Sequence, residues 1–159
     1  MISYESQNIL RICEVLSDPY ISNRVIDVPF REKSPFRIGM AFLNFFNYTM
    51  EYFSDKDMTI YLFDNDEKTP CGIMALKNEG MWARVDIGFK KGTEGGSCQE
   101  RLNLCIKTLS NYALKNEVKV VYGRIRKDNK PSRLFAKWGG FKEQQCPDDE
   151  DIVIVKRGF

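Results

Sequence analysis

The sequence predicts an α/β fold, an α+β mixed sheet within a single domain over residues 1–159. Three observations carry this prediction. Apolar residues recur at helical spacing in the first third of the chain. The period drops to two from residue 57. A Gly-rich loop at 91–97 then separates a strand from a long amphipathic helix that leads into another strand.

Ile9, Ile12, Cys13 and Leu16 form one helical stripe, which Asp18-Pro19 ends. A second helix is expected after Pro35. Its apolar residues, among them Met40, Leu43, Phe46, Met50 and Phe53, are too many for one face, so it should be buried on most sides. Strands follow at 57–63, 71–76 and 82–89, joined by turns at Asp64-Asn65-Asp66-Glu67 and Asn78-Glu79-Gly80, which makes an antiparallel meander. In the third strand Ala83, Val85, Ile87 and Phe89 share one face, and Trp82, Arg84 and Asp86 share the other.

After the loop, Leu102, Cys105, Ile106, Leu109, Tyr112 and Ala113 make the apolar stripe of the strongest helix. A Val-rich strand is expected at 118–125, and a short helix at 130–138 that Gly139-Gly140 closes. A strand from Phe141, a turn at Pro147-Asp148-Asp149 and a strand at 151–156 form a C-terminal hairpin. The strand–helix–strand unit from 82 to 125 requires a parallel central crossover.

Apolar residues make up 43% of the chain, with 11 Phe and 7 Tyr, enough for a core without staples. The net charge of +2 supplies no field that would point to nucleic acid or an anionic membrane. There is no histidine, which excludes Ser–His and Cys–His nucleophile pairs and any His-ligated metal. The five cysteines, Cys13, Cys71, Cys98, Cys105 and Cys146, are odd in number and lack a CxxC pair. They read as reduced thiols of a cytoplasmic protein, and no metal site is expected. The richest apolar run, 38–53, is broken by Asn44, Asn47 and Glu51 and is too short to span a bilayer, and residues 1–5 lack the pattern of a signal peptide.

Two segments resemble the GCN5-related N-acetyltransferases (GNAT). One is Arg124 to Phe141, where Asn129 follows a strand, Ser132 stands three positions on, and Gly140-Phe141 closes the short helix as in that family. The other is Val85-Asp86-Ile87-Gly88-Phe89, followed by the Gly-rich loop and the long helix. The resemblance covers about Asp57 to Phe159. It implies an acetyl-CoA-dependent transfer of an acetyl group to a primary amine of a small molecule or a protein.

In such a fold the central strand and the strand after its helix splay apart. The pantetheine arm pairs with backbone like an added strand, and the pyrophosphate sits at a helix N-terminus. The cofactor-binding residues so implied are Ile87, Gly88, Phe89, Lys91, Gly92, Gly95, Gly96, Ser97 and Asn129. Lys90, Arg124, Arg126 and Lys127 would add positive charge, and Asp86 is the implied general base.

The chain departs from the family in ways that make it a degenerate member, in the style of phage-encoded relatives. The position of the usual acidic Tyr is Ala136, beside Phe135. Aligned on the apolar stripe of the helix, the glycines fall a few residues early, and Glu94 and Glu100 stand near the expected phosphates. A second reading therefore stays open: a non-catalytic GNAT-fold binding or structural protein, for example a phage virion or accessory protein. In it the aromatics of 36–53 would meet protein partners in an assembly. Asn129 can also be a plain helix cap, Gly92 to Gly96 a plain turn, and Asp86 the partner of Arg84 in a strand-surface ion pair.

Overall fold

The computed structural model describes residues 1–16, 18, 21, 55–92 and 96–159. The helix expected after Pro35, Glu94 and Gly95 lie outside the described residues. The described elements run β1 Ile2–Glu5, α1 Ile9–Leu16, β2 Met58–Asp64, β3 Pro70–Glu79, β4 Trp82–Phe89, α2 Cys98–Lys115, β5 Val120–Arg126, α3 Lys130–Trp138, β6 Lys142–Gln145 and β7 Ile152–Gly158. The seven strands form one mixed sheet in the order β1-β2-β3-β4-β5-β7-β6. Strand β1 was not expected; β4 has the expected bounds, and the other strands match the expected segments with ends shifted by one to three residues.

The backbone divides into two compact units, one of Met1–Ile73 with Ile87–Gly95, the other of Met74–Asp86 with Gly96–Phe159. In the first unit β1 pairs antiparallel with β2, from Ile2 opposite Asp64 to Glu5 opposite Tyr61. Helix α1 starts because the Asn8 side chain accepts from the Arg11 backbone N–H at 3.2 Å. Its buried stripe is Ile12, Val15 and Leu16. The buried Asp64 carboxylate accepts from the Arg11 guanidinium at 2.9 Å on both oxygens and from the Tyr4 hydroxyl at 3.2 Å. Burial of a carboxylate is tolerated here because each oxygen is satisfied by a charged donor.

In the second unit β5 is central. It runs parallel to β4 and antiparallel to β7, and β6 closes the hairpin beside β7. Helix α2 buries Leu102, Cys105, Thr108, Leu109, Tyr112 and Ala113. Thr108 was not expected there; its hydroxyl donates to the Leu104 carbonyl at 2.8 Å, which lets a polar residue sit inside the helix face. Ile106 is half-buried. The strand face made by Ala83, Val85, Val121, Val153 and Val155 is buried. Helix α3 lies on this same face, because Arg157, which shares the parity of Val153 and Val155, donates to the Gly139 carbonyl at 2.7 Å. Ile106 of α2 also reaches Gly139.

Candidate functional site

Strand β5 loses its partner on one side only. Against β7 it pairs along its whole length, from Val120 opposite Gly158 to Arg126 opposite Ile152. Against β4 the register covers only Trp82, Ala83 and Arg84, opposite Val120, Val121 and Tyr122. Both strands continue beyond those pairs. At Gly123 the two strands are still close: a Cβ there would stand 3.2 Å from the Val85 carbonyl oxygen. Asp86 and Arg124 lie past it. A parallel pair that opens in this way leaves backbone N–H and C=O groups of β4 available to an extended ligand.

Ile87, Gly88 and Phe89 continue β4. The Phe89 ring lies over Gly72, where a Cβ would come within 2.5 Å of it, and meets Phe63 at a centroid distance of 5.2 Å. Gly88 packs against Ile21, so these side-chain directions are filled by the protein. Lys90 is drawn to Glu14 of α1 at 3.4 Å. Lys91 and Gly92 are exposed at a bend, with Gly92 at φ +83.

The start of α2 has a specific chemistry. Ser97 is its N-cap, and its hydroxyl accepts from the Glu100 N–H at 3.2 Å. The Glu100 carboxylate folds back to accept from the Ser97 N–H, completing a capping box. Gly96 sits at φ +69, and a Cβ on it would meet the Glu100 carboxylate, so this turn suits glycine on two counts. Arg101 donates to the Gly96 carbonyl at 3.0 Å. An N–H that the resemblance assigns to pyrophosphate is thus held by the protein's own anion. Sequence reasoning located the opposing charge of Glu100; the structure shows what it binds.

Asn129 caps α3, its side-chain oxygen accepting from the Ser132 N–H at 3.3 Å. Ala136 is half-buried on α3, and its carbonyl accepts from the Phe141 N–H at 3.0 Å. Arg126 is turned onto Asp128, at 3.1 and 3.2 Å. Arg124 is exposed and its guanidinium reaches the Cys146 sulfur at 3.9 Å.

Asp86 stands on the face of β4 opposite Ala83 and Val85, 3.6 Å from Arg84. Desolvation raises its carboxyl above the usual aspartate range, and the Arg84 charge pulls in the other direction. On the same face, Tyr122 is a residue that sequence reasoning missed. Its hydroxyl donates to Glu79 at 2.8 Å, and its ring meets Trp82 edge-on at 6.1 Å. Desolvation, then the Glu79 hydrogen bond, push its phenol up to about 12. Parity along β5 was the available signal: Tyr122, Arg124 and Arg126 alternate against the buried Val121.

Among the described residues no helix is long and apolar enough to cross a membrane, and no group of three or more His, Cys, Asp or Glu could hold a metal. No protein-family model matches the sequence, and no curated protein matches it. Solved structures do match the fold. A spermidine N-acetyltransferase from Vibrio cholerae, in complex with CoA and spermine, superposes with a TM-score of 0.70 at 12% identity, covering 98% of this chain and 94% of that one. The GNAT domain of an S. lividans protein gives 0.70 at 9%, over 99% and 89%. An N-acetyltransferase of Campylobacter jejuni in complex with acetyl coenzyme A gives 0.59 at 14%, over 99% of both chains. With its seven-stranded mixed sheet and the parallel crossover through α2, the chain has the fold of the GNAT acetyltransferases.

Proposed function

We propose that the chain is an acetyl-CoA-dependent N-acetyltransferase acting on a primary amine. The observation that carries this reading is the one-sided opening of β5 from β4 after Arg84 and Tyr122. When bound, acetyl-CoA supplies a thioester whose C–S bond breaks as the amine nitrogen forms the new C–N bond. The β4 backbone from Asp86 through Ile87, Gly88 and Phe89 holds the pantetheine arm and polarises the acetyl carbonyl. Lys91, Gly92, Gly95, Gly96 and Ser97 are assigned to the phosphate end, and Asn129 to the cofactor site at the start of α3. Asp86 accepts the proton that the amine loses, and its raised affinity for protons suits that role. Ala136 carries no hydroxyl and so would supply no proton to the departing CoA sulfur, which solvent would then have to protonate. The work of the protein is mainly positioning. The five cysteines, all free thiols, suit a reducing cytoplasm.

A second reading, a GNAT-fold binding or structural protein of the phage-encoded kind, draws on Ala136 and on the Glu100 carboxylate at the Ser97 N–H. Thermal unfolding with acetyl-CoA, with ATP as control, separates the two. Acetyl-CoA at a hundred times its dissociation constant should stabilise the chain by about 2.7 kcal/mol. No shift at millimolar acetyl-CoA would leave the second reading.

A further inference from the structure

Next to the β4–β5 opening, the exposed face of the second unit carries an open pocket of about 340 Å³, lined by Glu79, Trp82, Tyr122, Gln144, Ile154 and Lys156. The residues come from five strands. They meet because β3, β4, β5, β7 and β6 are successive neighbours, with Tyr122 opposite Lys156 and Gln144 opposite Ile154. The pocket has two poles. Glu79 is fixed at one by the Tyr122 hydroxyl, which occupies a single oxygen and leaves the other to a cationic donor. Lys156 is a cation opposite Tyr122 across the β5–β7 pair, and none of the described carboxylates makes an ion pair with it. Trp82, 43% exposed, and Ile154 line the same pocket with apolar surface. A carboxylate, an ammonium and an aromatic wall in one pocket suit a ligand carrying both charges.

We propose that this pocket binds the head of an α-amino acid, its ammonium on Glu79 and its carboxylate on Lys156, and that the acceptor is a diamino acid. This rests on the acetyltransferase reading. Asp86 stands on the same face of β4, two residues beyond Arg84, the residue opposite Tyr122. Two strand residues span about 7 Å. A second amino group at the far end of a lysine-like side chain reaches that level while the head stays in the pocket.

The test needs no acetyl transfer. In a Trp138→Phe background, Trp82 is the only remaining tryptophan and reports binding by its fluorescence. L-lysine should titrate saturably. 1,5-Diaminopentane, which lacks the carboxylate, and 6-aminohexanoic acid, which lacks the α-ammonium, should bind about tenfold more weakly, because each leaves one charged pole unpaired. Lys156→Gln should weaken L-lysine about tenfold and abolish its advantage over 1,5-diaminopentane. Equal affinity for the three compounds, or a Lys156→Gln chain that melts normally and binds L-lysine unchanged, overturns the proposal. If L-lysine fails while acetyl-CoA still raises the melting temperature, the acceptor assignment falls and the transferase reading stands. If L-lysine binds as expected and acetyl-CoA gives no shift, the head-group pocket stands and the diamino acid loses its role as acceptor.

Discussion

Strands β4, β5 and β7 of the second unit carry two faces of opposite character. Ala83, Val85, Val121, Val153 and Val155 are buried on one. Trp82, Arg84, Asp86, Tyr122, Arg124 and Lys156 stand half-buried or exposed on the other. The same backbone therefore presents a packed side and an open polar side, one residue apart. A strand packed into the core on one side can carry a charged and aromatic surface on the other, because the side-chain period is two.

The comparison breaks most sharply through stability. Leu109 of α2 is fully buried, and Leu109→Ala should lower unfolding free energy by about 2–5 kcal/mol. Lys156→Ala, on the open face, should stay within about 0.5 kcal/mol. Urea midpoints at constant slope read both. Comparable losses would show that the second face is also a packing surface, and the pocket argument would fail with it.

This division was largely legible in the sequence. The alternation of β4 places Ala83 and Val85 against Trp82, Arg84 and Asp86, and the α2 stripe from Leu102 to Ala113 follows from helical spacing. What was not legible has a common cause. Strand β1 is four residues at the sheet edge, Ile2-Ser3-Tyr4-Glu5, too short for a period and defined by pairing with β2, over fifty residues away in sequence. The pocket is likewise non-local. Glu79, Tyr122, Gln144 and Lys156 come together only because β7 inserts between β5 and β6, an order no local pattern encodes. The helix cap was half legible. The Ser97 and Glu100 spacing is that of a capping box, yet the family resemblance draws the eye to phosphate instead.

That cap gives the intermediate prediction. Glu100 stabilises the start of α2 by accepting from the Ser97 N–H and by its charge at the helix N-terminus. Glu100→Gln should therefore cost about 0.5–1 kcal/mol of stability. It should also remove a like charge from the proposed phosphate end and tighten acetyl-CoA about fivefold. Titration calorimetry and thermal melts of the same samples check the two effects together. Weaker binding in the variant would mean that the cap preorganises the loop for its ligand and does not compete with it.

The smallest effect belongs to Asp86, and it decides whether the open face is chemical or merely polar. Its side chain is 35% exposed, and desolvation raises its carboxyl while Arg84 at 3.6 Å opposes the rise. A carboxyl whose proton affinity is higher in the folded chain contributes stability that is fully present below the unfolded aspartate value, near 4. That contribution is lost as pH rises through the folded value. Asp86→Asn does not ionise, so at pH 8 the variant should be the more stable form, by about 0.5 kcal/mol or less for a group this exposed. At pH 3 the difference should vanish. An Arg84→Gln background should widen the gap at pH 8, because the opposing charge is then gone. Melting curves at the two pH values measure this directly. If Asp86→Asn is the less stable form at pH 8, the Arg84 pair outweighs desolvation. Asp86 is then a strand-surface ion pair, and the proton acceptor of the proposed reaction must be sought in the substrate amine's own equilibrium with solvent.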